Sequence, residues 1–198
     1  MEILRSIVCP SEDAIAFLQA WMPGALVKSS RFYCPTTLSD VPTTARDVIY
    51  LRELQTLVIH DVRSTHPSVI DDQEDRTKDL LTINASSEQF EIVVVAPTLF
   101  IMLFETQEVF QTVFGHRANE YLNLMGSYDP ERAIREAGTS VREIIANFDS
   151  ATLDRLRNTI TAKRILQGIA ILDAKPFAAV NGGDYVVHRR PPQFRHWD

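Results

Sequence analysis

The chain has 198 residues, of which 45% are hydrophobic and 23% charged, and a formal net charge of −6. This composition is ordinary for a soluble globular protein and excludes low-complexity and disulfide-framework chains, and a chain of this size can bury about 70% of its extended surface without disulfide or metal support. The apolar stretches at 92–104 and 165–172 fall short of the ~20 residues that span a bilayer, so no membrane partner is expected.

In chain order, residues 2–8 read as a strand and Ser11 caps a helix whose apolar positions are Ala14, Phe17, Leu18 and Trp21, stopped by Pro23-Gly24. Residues 25–33 read as a second strand, 34–44 as a polar loop, 46–54 as a short helix and 56–63 as a β-branched strand. Residues 64–78, with Asp71, Asp72, Glu74 and Asp75, read as an acidic surface loop or disordered insertion. Strands at 80–84 and 90–95 are expected to form a hairpin.

From Thr98 the apolar period becomes helical. Leu99, Met102, Leu103, Val109, Phe110, Val113 and Phe114 form one stripe, and a shorter helix over 118–125 follows. Asp129-Pro130 starts another helix that continues to about Asn147, and a last long helix opens at Asp149 or Ser150. After Pro176, Asn181-Gly182 marks a tight hairpin between 178–180 and 185–187. The expected class is therefore α+β: a mixed N-terminal part with a small sheet (1–96), a bundle-like run of about four helices (97–172), and a hairpin with an extended basic arm (173–198). These parts can also share one compact domain.

Seven glycines, none followed by lysine, form neither a dinucleotide fingerprint nor a Walker loop. Potential metal ligands crowd only at His60, Asp61 and His66, followed by Asp71 and Asp72, and their spacing matches no helical ligand pair; the favoured reading is a hydrogen-bonded strand histidine beside an acidic loop. Cys9 lies between a strand and a helix start, where a thiol can be activated, yet it has no Cys-x-x-Cys partner and reads as a small packing residue. No cofactor is expected. The two cysteines, Cys9 and Cys34, favour a reducing, intracellular setting, either cytoplasm or an assembled particle, and the N-terminus lacks the pattern of a secretory signal.

Residues 80–105, with Ser86-Ser87 before Phe90-Glu91-Ile92 and Met102-Leu103 beyond, resemble the strand-strand-helix opening of BTB or Skp1-type adaptor domains. The resemblance implies a protein-binding adaptor and covers a small part of the chain.

Charge is divided along the sequence. Residues 1–150 carry 12 basic and 22 acidic residues, and residues 151–198 carry 8 and 4. The final segment alternates Arg189, Arg190 and Arg195 with Phe194 and Trp197, a composition suited to docking on an acidic surface through guanidinium and aromatic contacts. The leading expectation is a noncatalytic structural or assembly protein, such as a component of a viral or phage particle, that self-associates or docks a partner through those five residues. One alternative is a nucleic-acid-associated protein using Arg155, Arg157, Lys163 and Arg164 as a phosphate-facing stripe. Another is a small metal-dependent hydrolase or thiol redox enzyme at His60, Asp61 and His66 or at Cys9.

Overall fold

The computed structural model describes residues 3–52, 54–83 and 85–176. Four parallel strands, β1 (Arg5–Val8), β2 (Ser30–Tyr33), β3 (Gln55–Asp61) and β4 (Phe90–Val95), form one sheet in the order β2-β1-β3-β4. Helices intervene between successive strands: α1 (Glu12–Trp21) and α2 (Gly24–Lys28) before β2, α3 (Val41–Arg52) before β3, and α4 (Pro67–Thr82) before β4. The class is mixed α/β, 62% helical, and the expected α+β arrangement is corrected. Parallel neighbours cannot be joined by tight turns, so each crossover takes a helix, and the 80–84/90–95 hairpin does not form.

The correction centres on residues 64–83. The acidic stretch is not a loop: Pro67 occupies the first turn, where its missing N–H costs nothing, and α4 runs to Thr82. Leu80 and Leu81 belong to that helix rather than to a strand, and the resemblance to an adaptor-domain opening falls with the strand it needs. Residues 25–33 likewise divide into α2 and the shorter β2.

Alternation along the strands separates two apolar layers. Ile7, Phe32, Leu57, Ile59, Val93 and Val95 face α1 and the C-terminal helices, whereas Val8, Tyr33, Val58 and Phe90 face α3 and Leu81 of α4. The stripe beyond Thr98 is broken into shorter pieces than its periodicity predicts. A 3-10 turn (Leu99–Leu103) precedes α5 (Gln107–Phe114), followed by α6 (Glu120–Tyr128), α7 (Pro130–Glu136), α8 (Val141–Ala146), α9 (Ser150–Arg157) and α10 (Ile160–Ala174). Side-chain caps set the breaks: Thr106 accepts from Val109 N, Ser140 and Glu143 form a capping box, and Thr159 accepts from Ala162 N. The run is no four-helix bundle, because α10 packs directly on β3 and β4. The proposed hairpin at 178–187 lies outside the described residues.

Helix α10 runs from the carboxyl to the amino edge of the sheet and is pinned at its end by Arg5. The Arg5 side chain, only 3% exposed, donates from Nε and Nη2 to the two carboxylate oxygens of Asp173 at 2.9 and 2.8 Å. Removing the carboxylate strands a guanidinium inside the protein. Asp173→Ala is therefore expected to lower unfolding free energy by about 2 kcal/mol, read from urea denaturation midpoints.

Candidate functional site

In open parallel sheets ligands commonly bind beyond the carboxyl ends of the strands where strand order reverses, and in this sheet the order reverses between β1 and β3. Past β1 come Cys9, Pro10 and Ser11, and Ser11 Oγ accepts from Ala14 N at 3.2 Å to start α1. At the end of β3 stand His60 and Asp61, adjacent in sequence and directed to opposite layers. His60 Nδ1 lies 3.1 Å from Thr77 Oγ1 on α4. The Thr77 hydroxyl donates to Gln73 O at 2.8 Å, so it accepts from His60, whose Nδ1 carries a proton. Burial also lowers the His60 pKa.

Asp61 turns toward the other layer, where Oδ1 accepts from Leu99 N at 2.9 Å at the entry to the 3-10 turn. The residue is 4% exposed, and burial raises its pKa to about 8; the Leu99 N–H lowers it, nearby Glu131 raises it and Arg63 lowers it. Arg63 itself holds a left-handed φ of 57°, a conformation that costs a non-glycine residue, while its N–H donates to Pro97 O at 2.7 Å. Its side chain pairs with Glu131 at 3.3 Å. At neutral pH this edge thus holds a buried carboxylic acid beside an exposed ion pair.

Cys9 is fully buried in the same layer, and its thiol is raised well above the ordinary value, chiefly by burial and then by Cys34 and Asp61. Such a thiol stays protonated, which suits the packing role and opposes an activated nucleophile. Neither cysteine is in a disulfide. His66, exposed at the start of α4, has Nδ1 2.8 Å from Ser68 Oγ. The three weak metal candidates, His60, Asp61 and His66, are thus not brought together, and no group of three His, Cys, Asp or Glu among the described residues could hold an ion.

The basic stripe is divided. Arg157 is half-buried, donates from Nε to Trp21 O at 2.8 Å and pairs with Asp154 at 2.9 Å, so it serves as a clamp between α1 and α9. Arg155 on α9 and Lys163 and Arg164 on α10 are exposed. Arg189, Arg190, Phe194, Arg195 and Trp197 lie outside the described residues. Among the described residues no helix is long and apolar enough to cross a membrane.

Sequence reasoning missed the meeting of Cys9 with Asp61 and the Arg63–Glu131 pair. The first depends on strand order and the second on a contact between residues 68 positions apart. Strand alternation did offer one signal, since adjacent residues on a strand point to opposite faces and His60 and Asp61 could not share an ion. No protein-family model, curated protein or solved structure matches the chain.

Proposed function

We propose that the chain is a noncatalytic assembly protein whose copies associate through surface contacts, with the C-terminal Arg/aromatic segment as the docking element. The supporting observation is on α6. Tyr121, Leu124 and Tyr128, 65%, 61% and 65% exposed, recur at i, i+3 and i+7 and make one apolar line on the surface. A lone exposed leucine needs no explanation, but a rigid line of large apolar side chains is the usual mark of an interaction surface.

The chemistry at the carboxyl edge agrees with this reading. Asp61 accepts a main-chain hydrogen bond, His60 bonds Thr77 and Cys9 packs in the core, contacts that support a structural role for these three groups. Light scattering of the full chain, of a chain ending at residue 187 and of Leu124→Glu tests the proposal. Both changes are expected to lower the mass of the associated species. Equal masses for all three would overturn the reading, and steep salt-dependent binding of RNA or DNA would favour the nucleic-acid alternative.

A further inference from the structure

Helix α4 gives little of its surface to the fold. Over Pro67–Thr82 only Thr77 and Leu81 are buried. At 100° per residue those two mark the inward line, and Asp72, Asp75 and Asp79 fall on the opposite one, all exposed. Asp72 pairs with Arg76 on the helix itself at 3.0 Å, whereas Asp75 and Asp79 form no ion pair among the described residues. Val69, Leu80 and Ile83 flank this ridge, each exposed, and the last turn of α3 adds exposed Tyr50 and Leu51. A face that combines carboxylates with uncovered apolar side chains calls for an occupant that is both cationic and apolar.

The chain itself supplies one, and it departs close by. Helix α10 ends at the amino edge of the sheet, where Lys175 Nζ donates to Ser87 O at 2.9 Å, Phe90 O at 2.6 Å and Glu91 Oε2 at 2.7 Å. Those acceptors follow the C-terminal end of α4. Beyond Pro176 remain 22 residues, and within 188–197 there are three arginines, Phe194 and Trp197, and no acid. The 13 residues from Pro176 to Arg189 reach up to about 43 Å, against a length of about 24 Å for α4. A tethered segment faces its own receptor at an effective concentration in the millimolar range, so the same subunit is the favoured partner.

We infer that residues 188–198 dock on the outer face of α4 of their own subunit, with arginines on the Asp72, Asp75 and Asp79 carboxylates and the aromatic side chains over Val69, Leu80 and Ile83. The inference rests on the reading above that this segment is a docking element. Exchange of the same contact between copies then makes α4 the receiving surface in assembly.

A synthetic peptide of residues 188–198, titrated by fluorescence anisotropy at low salt, tests it. The chain ending at 187 is expected to bind the peptide. The triple variant Asp72→Lys, Asp75→Lys and Asp79→Lys in that chain should bind at least about tenfold more weakly, with the corresponding Asn variant between the two. The full chain, held at concentrations where it is a single subunit, should bind at least about tenfold more weakly than the truncated one, because its own segment fills the site. No binding to the truncated chain, equal affinity for the Lys variant, or equal affinity for the full chain would each overturn the inference. Peptide binding on α4 without any change of mass on truncation would instead overturn the assembly reading and leave this docking site standing.

Discussion

Replacing Gly126 by alanine is expected to destabilise the protein by about 3 kcal/mol, although alanine is the better helix former by about 1 kcal/mol. A Cβ at Gly126 would overlap Cδ1 and Cε1 of the Phe104 ring. That ring cannot swing away. It is itself buried and packs against Phe110 and Phe114, with centroids at 5.7 and 5.2 Å. The close approach of α6 to the 3-10 turn therefore requires a residue without a side chain. Urea denaturation of Gly126→Ala, Phe104→Leu and the double variant checks the cause. The double variant should recover most of what the glycine substitution loses, and two losses that simply add would show the clash is not the reason. Gly24→Ala is the control, because nothing lies within 4 Å of its added carbon, and it should change stability by no more than about 0.5 kcal/mol.

How far these features could be read beforehand depends on whether the deciding interaction is local. The start of α1 was legible, since Ser11 with Glu12 and Asp13 is a local cap that needs no partner elsewhere. Asp129-Pro130 announced α7 for the same reason. The breaks at Thr106, Ser140 and Thr159 were hidden because the apolar stripe continues across them, and a cap inside a continuing stripe looks like an ordinary polar position. Helix α4 was hidden by the opposite condition: with Thr77 and Leu81 as its only buried residues it has almost no stripe, and its charge density resembles a solvated loop. At the carboxyl edge, the identity of His60 and Asp61 was visible but their division between two layers was not used. The neighbourhood of Asp61, Cys9 and Glu131 follows from the sheet order and the return of α7, which no short window contains.

That neighbourhood gives Asp61 a large expected pH signature. Its folded pKa of about 8 stands above the ordinary 3.8, so between those values the folded state holds a proton that the unfolded chain has released. Stability therefore falls as pH rises through this interval and levels off above pH 8, by on the order of 5 kcal/mol in all from this one group. His60 acts in the opposite sense. Its folded pKa lies below 6.5, so the unfolded chain binds the extra proton and stability rises as pH climbs toward 6.5. The two trends oppose each other at lower pH, and between about 6.5 and 8 Asp61 acts without that offset, giving a fall of about 2 kcal/mol. Asp61→Asn keeps an oxygen for the Leu99 N–H and removes the ionisation, so the variant should be more stable than the parent at pH 7 and above, with a flat profile between pH 6.5 and 8. Denaturant midpoints at half-unit pH steps provide the check. An unchanged slope in the variant would mean that another group carries the proton, and a parent that gains stability toward pH 8 would mean that the buried carboxyl is already ionised in the fold.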